Sequence, residues 1–334
     1  MTTAPDEATE RPTLQESVPP VREWGRVFLI GIVMGSADAV PGVSGGTIAL
    51  IAGVYVRLIA AIARVTPDRL VQGARALTPL DGGVSGRDAV AVLEEVDGWF
   101  LLALLAGVAT AVVLVTRAVH VAQQETPALL FGFFFGLIAA SAVVLLRAAS
   151  VRTAPEVAAA AAGFLIAFVL SGEATVLGRG GLAVVFLAGT VAVSAMILPG
   201  VSGSLLLVVL GQYTRMATTL SEFVDGLARA LTGGPLDGVT GPGAVVVTFV
   251  AGGLVGLFTV SRAVRRALDA NREVTLAFLV TLVVGALRAP VARVGQRPGF
   301  STDVVVAFGV AALAGAVLVL AVDWYAVDLD LDAV

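Results

Sequence analysis

Cysteine is absent from this 334-residue chain, which removes disulfides, thiolate metal sites and cysteine nucleophiles together. Lysine is absent too, so all 21 basic residues are arginine. The single histidine, His120, leaves little scope for imidazole metal clusters or a histidine-based catalytic centre. Charged residues make up 14% of the chain against 57% hydrophobic, and the mean hydropathy is +0.95. A soluble domain needs many more charged positions on its outer faces, so the composition is that of a polytopic membrane protein. No pattern points to nucleic acid binding, a nucleotide loop or a metal cluster. The missing lysine, acidic ends and Ala/Val/Gly bias suit a GC-rich, salt-adapted genome.

A hydrocarbon core about 30 Å thick takes roughly 20 apolar residues per helix. Ten hydrophobic segments fit an all-α fold: 24–40, 42–63, 98–118, 127–147, 155–170, 181–198, 200–220, 243–261, 274–289 and 303–322. Several are short for a full crossing. Residues 1–20 carry four prolines among acidic and hydroxyl residues, without the basic start and apolar centre of a signal peptide, and read as a disordered cytoplasmic tail. Residues 323–334 read as an acidic C-terminal tail.

Pro41-Gly42-Val43-Ser44-Gly45 returns as Pro199-Gly200-Val201-Ser202-Gly203, and an offset of 158 also matches Ser36 with Ser194, Gly53 with Gly211, Tyr55 with Tyr213 and Arg57 with Arg215. A second block pairs Ala106-Gly107 with Ala251-Gly252 and Arg117-Ala118-Val119 with Arg262-Ala263-Val264. The duplication gives membrane repeats at 24–170 and 178–322, each with an odd number of net crossings. The second repeat is then upside down relative to the first, the inverted topology in which interrupted helices meet near the bilayer midplane around a binding site. Under that topology fourteen of the 21 arginines, from Arg11, Arg22 and Arg26 to Arg265, Arg266 and Arg272, share the side of the N-terminus. The excess puts both termini in the cytoplasm. Asp68 to Leu77 reads as a short interfacial helix.

Proline lacks an N–H and glycine lacks a β-carbon, so each motif breaks a helix and exposes backbone, with Ser44 or Ser202 able to cap the helix that follows. Exposed backbone at membrane depth persists only where it lines a cavity or is buried in protein. Gly45-Gly46-Thr47 and Gly203-Ser204-Leu205 would offer N–H groups and a hydroxyl to an anion such as a phosphate. Arms as short as Thr47 to Ala63 favour re-entrant hairpins whose tips approach the midplane and share one ligand. A kink that serves only close helix packing is the plainer reading of one such motif; two related copies with polar neighbours weigh against it.

The run from Met34 through Asp38, Pro41 and Thr47 to Leu50, followed by Gly53 and Tyr55, and the later run Met196 to Ser204, followed by Gly211 and Tyr213, resemble the two signatures of a polytopic family long catalogued only as a domain of unknown function. The likeness spans about residues 24 to 322. It implies a polyprenyl-phosphate translocase of the PopT type, which returns undecaprenyl phosphate across the cytoplasmic membrane for reuse in envelope synthesis. In a haloarchaeon the carrier implied is a dolichyl-type phosphate. A phosphate head carrying about −1.5 to −2 charges cannot cross hydrocarbon alone, whereas an isoprenoid tail can stay in lipid throughout.

The candidate phosphate-binding residues are Ser44, Gly45, Gly46, Thr47, Ser202, Gly203, Ser204, Arg57 and Arg215, the arginines being able to reach a phosphate bidentately or to snorkel to the interface. Arg117, Arg262 and Arg288 at helix ends are weaker candidates of the same kind. Asp38 is an acid deep in an apolar segment and its counterpart Met196 is apolar; it is a candidate for proton or sodium coupling or a local brace of the broken loop. No other cofactor is implied. The aromatic run Phe131 to Phe135 would contact an isoprenoid, lipid or neighbouring helices. Gly42-Val43-Ser44-Gly45 also matches a G-x-S-G pattern of intramembrane serine hydrolases, but one His120 cannot serve two inverted serines as general base, so the expectation is a transporter and not an enzyme. A small-anion transporter of the same architecture is the alternative, and self-association into a homo-oligomer is open to such a chain.

Overall fold

The computed structural model describes residues 19–66, 68–69, 71–72, 86–148, 151–172, 180–195, 202–295 and 301–331. Among these the fold is helical without strands: α1 Val21–Ala39, α2 Gly45–Ile51, α3 Tyr55–Arg64, α4 Gly86–Glu95, α5 Gly98–Glu125, α6 Pro127–Ala148, α7 Ala154–Gly172, α8 Leu182–Ala195, α9 Gly203–Val209, α10 Tyr213–Leu231, α11 Asp237–Phe258, α12 Val260–Ala270, α13 Arg272–Ala286, α14 Arg288–Gly295 and α15 Thr302–Leu331. Each of the ten apolar segments maps onto one or two of them. Among the described residues six stretches are long and apolar enough to cross a membrane: 98–125, 127–147, 154–172, 238–270, 272–295 and 302–325. They turn large apolar side chains such as Leu105, Leu165, Val310 and Leu313 outward, as a lipid-facing surface requires. The segment read as an acidic tail begins inside α15, which runs on to Leu331. Residues 1–18 and most of Asp68 to Leu77 lie outside the described residues.

The segment 42–63 is not one arm, as its reading as a single hydrophobic segment suggests. It is two helices bent by 115°. The break is chemical: Gly53 takes φ +69°, its N–H donates to the Leu50 carbonyl at 2.9 Å, and the Val54 N–H donates to the Ala49 carbonyl at 3.0 Å. This is a Schellman stop, which places glycine in the left-handed region. The second repeat builds the same stop with Gly211 at φ +64°, bonded to Val208 at 3.0 Å, and Gln212 bonded to Leu207 at 2.8 Å. Hence the glycines match at offset 158.

Helix pairing repeats as well. α1 packs along α5, as α8 packs along α11. A β-carbon on Gly107 would collide with the Phe28 carbonyl oxygen, and one on its mate Gly252 with the Phe186 carbonyl oxygen, so both pairs depend on glycine for backbone contact. The remaining pairs cross between repeats: α6 packs on α15 of the second repeat, and α13 packs on α7 of the first. All four pairs run parallel. Gly132 meets Phe308 and Gly136 meets Ala312; Gly163 meets Phe278 and Phe168 meets Gly285; Gly31 meets Leu104 and Gly35 meets Val108; Phe186 meets Gly252 and Thr190 meets Gly256. The two repeats are therefore interlocked. Their largest shared core unites Phe131, Phe134, Leu137 and Ile138 of α6 with Leu205, Val208 and Val209 of α9, Tyr213 of α10 and Val283 of α13.

Candidate functional site

The first motif forms the tip of a hairpin. α1 ends at Ala39, Val40 is extended, Gly42 takes φ +95°, and α2 starts at Gly45. The tip packs against the middle turns of α6: the Ser141 hydroxyl donates to the Gly42 carbonyl at 2.6 Å, and a β-carbon on Gly42 would press on Ser141 and Leu137. From the second repeat, the Tyr213 hydroxyl donates to the Ala39 carbonyl at 2.6 Å while its ring stands edge-on to Phe134, 5.2 Å between centroids. One hairpin tip is thus held by both repeats. Val43 of the tip and Leu205 of α9 belong to the same core, which brings the two motif segments into one region.

Ser44 and Ser202 occupy N-cap positions with extended backbones, but neither hydroxyl caps its helix, contrary to the expectation from the motif. Asp38 supplies the missing acceptor in the first repeat: its Oδ1 accepts the Gly45 N–H at 2.7 Å. That is the local brace weighed for this acid, and it fills one of the N–H positions an anion would use. In the second repeat Ser202 and Ser204 bond to each other at 2.7 Å and are buried, with Gly203 between them. Pro199, Gly200, Val201 and the Asp38 counterpart Met196 lie outside the described residues.

Beside the first tip is a hollow of about 150 Å³, lined by Gly42, Val43, Ser44, Thr47, Ser141 and Asp323 together with aliphatic side chains of α6 and α15. Across it Asp323 pairs with Arg147 at 3.4 Å. The next residue after Gly45, Gly46, has only the Ser44 hydroxyl within 4 Å of a β-carbon position. The hollow therefore brings together hydroxyls and one carboxylate at a broken helix, with the Arg147 guanidinium paired to that carboxylate from outside the lining. Ser141, Arg147 and Asp323 escape motif-based reasoning. Ser141 is signalled only as a polar residue in the centre of an apolar segment, and Asp323 only by ending the last one.

Arg57 and Arg215 lie at the feet of their hairpins. Arg57 gives two N–H groups to Asp97, at 2.6 and 2.9 Å, and a third to Glu23 at 3.2 Å, with its guanidinium 4.4 Å from the Phe100 ring centroid. Glu23 is in the first turn of α1, so the chain has returned to where the hairpin began. Arg215 donates to the Gly180 carbonyl just before α8, the matching position in the second repeat. Arg117 pairs with Asp225, and Arg288 donates to the Phe168 carbonyl at 2.8 Å. His120 contacts Thr218 at 3.3 Å and Gln124 at 3.0 Å through its two ring nitrogens, and neither motif serine. Phe131 stands edge-on to Phe134, which stands edge-on to Tyr213, and both phenylalanines are buried in the core, while Phe135 lies tilted to Phe308 at 5.5 Å, so Phe131 and Phe134 face protein, not a lipid tail.

The undecaprenyl phosphate translocase-like family matches residues 34–296. A polyprenyl-phosphate transporter of Vibrio cholerae is 31% identical over 267 residues, covering 78% of this chain and 75% of that protein. A polyprenyl-phosphate transporter of Staphylococcus aureus is 29% identical over 293 residues, covering 84% and 89%. No solved structure matches. The match runs from the last turns of α1 through both motifs and both Schellman stops to the end of α14, and on that ground the chain belongs to the undecaprenyl phosphate translocase-like family.

Proposed function

We propose that this protein is a membrane translocase that moves a polyprenyl phosphate, undecaprenyl or dolichyl-type, across the cytoplasmic membrane, and that the hollow beside the first hairpin tip receives the phosphate. The observation that carries this is the hollow itself: hydroxyls of Ser44, Thr47 and Ser141 beside a broken helix, against the C-terminal third of α6, in a chain of this family. The polar head needs such a partner only while it is away from water, and an isoprenoid tail needs none. Both relatives named above are called transporters, and the only histidine is engaged far from the motif serines in role, which favours transport over hydrolysis.

We further propose that the repeats are inverted, a reading the connections support. One residue joins α5 to α6 and five join α6 to α7; neither link can carry the chain back across about 30 Å, so consecutive helices alternate in direction. α15 runs with α6 and α13 with α7, so α13 opposes its mate α6 and α15 opposes its mate α7. α12 meets α13 through one residue, which sets the continuous 238–270 helix against α13 and so against its mate α5. Each hairpin enters and leaves on its own side, as the Arg57–Glu23 pair and the Arg215–Gly180 bond suggest, and both termini share one side, cytoplasmic by the arginine excess. Ser44, Gly45, Gly46 and Thr47 on one tip, and Ser202, Gly203 and Ser204 on the other, would handle the phosphate in turn. Asp38, bound to Gly45, is the group whose protonation or sodium binding would couple to phosphate entry.

The test is flipping of labelled polyprenyl phosphate in proteoliposomes. The intact protein should flip it faster than protein-free vesicles, and Ser44→Ala and Ser202→Ala should each slow it. Absence of flipping by the intact, folded protein rejects the function; unchanged rates in both variants reject the site.

A further inference from the structure

At the foot of the first hairpin a second cavity, about 540 Å³, opens between α1 and the α2–α3 break. Its walls differ in chemistry: Val27, Ile30 and Val54 are apolar, while Arg22, Arg26 and Arg57 bring three guanidinium groups against one carboxylate, Glu23. Arg57 is held by Asp97 and Glu23. Among the described residues Arg22 and Arg26 have no hydrogen-bond or ion-pair partner, although both line the cavity and both are exposed. Counting Asp97 with the lining groups, the local charge is still net positive. A cavity with an apolar back wall and unpartnered arginines on its rim complements a molecule with an anionic head and a hydrocarbon body. It is not the hollow at Ser44, which lies at the opposite end of α2.

We infer that this cavity is a docking site for a phosphate monoester lipid, in which Arg22 and Arg26 take the phosphate, Arg57 swings in from its ion pairs to complete the clamp, and the first isoprene units lie along Val27, Ile30 and Val54. Planar guanidinium groups suit phosphate oxygens bidentately. A dianionic phosphate competes with the carboxylates that hold Arg57, because Glu23 is exposed and Asp97 only part-buried, and a phosphate offers a guanidinium more charge than either. Identification of the lipid as the transported one rests on the function proposed above; the site itself does not. In that setting the cavity is a vestibule: it collects the head at the membrane surface, and α2 leads from it to the tip.

Trp24 provides the readout. It lies between Arg22 and Arg26 in sequence, and its ring is 6.2 Å from that of Trp99. In a Trp324→Phe background of the full chain, in nanodiscs of neutral lipid, tryptophan fluorescence is titrated with farnesyl phosphate, farnesol, inorganic phosphate and phosphatidylglycerol. Farnesyl phosphate is expected to saturate, with binding weakened at least about tenfold in Arg22→Gln/Arg26→Gln, equivalent to about 1.4 kcal/mol, and largely kept in Arg22→Lys/Arg26→Lys. Farnesol and inorganic phosphate alone should bind far more weakly. Equal binding of phosphatidylglycerol would overturn the monoester assignment and leave a general anionic-lipid surface. Unchanged farnesyl phosphate binding in the Gln variants would overturn the site. Because binding is read without transport, a protein that binds at these arginines yet flips nothing would reject the proposed function and keep the site, and one that flips normally in the Gln variants with unaltered binding would do the reverse.

Discussion

Tyr213 and Tyr55 occupy the same place in the two repeats, yet the structure gives them different work, and replacing each by phenylalanine separates packing from bonding. Tyr213 is 7% exposed, its ring abuts Phe134, and its hydroxyl holds the Ala39 carbonyl at 2.6 Å. Tyr55 is 36% exposed and its hydroxyl makes no hydrogen bond among the described residues. Tyr213→Phe keeps the aromatic contact and leaves a helix-terminal carbonyl without its partner. Intramembrane hydrogen bonds average about 0.6 kcal/mol and reach about 1.7, and an orphaned buried acceptor raises the loss toward about 1–3 kcal/mol; we expect about 1–2 kcal/mol. At roughly 2–4 °C per kcal/mol for a chain of this order of size, the midpoint of thermal unfolding in detergent should fall by about 3–6 °C. Tyr55→Phe should move it by less than about 1 °C. Flipping should slow in Tyr213→Phe alone, because that bond ties the first tip to the second repeat. Equal midpoints for the two variants, or a larger loss in Tyr55→Phe, would refute this account of how the tip is held.

Gly107→Val and Gly252→Val should each cost more than about 2 kcal/mol, since a side chain there meets backbone on the partner helix, whereas Gly309→Ala, with open space around it, should be neutral; yield of monodisperse protein and thermal midpoints check both. Gly53→Ala and Gly211→Ala should each lose about 1 kcal/mol or more from the strained left-handed position, measured the same way. Arg57→Gln should cost about 1 kcal/mol, because Arg57 and Glu23 are exposed and Asp97 part-buried, and the loss should shrink in high salt. If Asp38 serves only as a brace, Asp38→Asn, which retains an acceptor for the Gly45 N–H, should flip normally while Asp38→Ala does not; if it couples, both should lose dependence on a proton or sodium gradient.

Much of the architecture was legible because duplication leaves marks that need no structure. The offset of 158 paired Gly53 with Gly211 before any dihedral angle was known, and the ten apolar runs became helices or helix pairs. What stayed hidden depends on partners distant in sequence. Nothing in the run 42–63 marks the 115° bend, since a lone glycine in an apolar segment reads equally well as a packing position. The exchange of α6 and α13 between repeats is a choice among many helix pairings of similar hydrophobicity. Arg57 and Arg215 match in sequence, and in the structure both bond at the base of their hairpins, Arg57 to Asp97 and Glu23 and Arg215 to the Gly180 carbonyl, partners that no spacing in the sequence marks. In the first repeat Asp38 reaches Gly45 from the preceding helix, a contact that spacing alone does not distinguish from ion coupling.

The central claim is that the phosphate passes through the hollow beside Ser44, and obstructing that hollow tests it most directly. Thr47 lines it, and Thr47→Phe adds enough volume to occupy much of about 150 Å³ without touching the ion pairs at the hairpin foot. The rate of polyprenyl phosphate flipping in proteoliposomes, measured on variant protein whose thermal midpoint is within a few degrees of the parent, should then fall to the protein-free level. Flipping at the parent rate through an obstructed hollow would contradict the account.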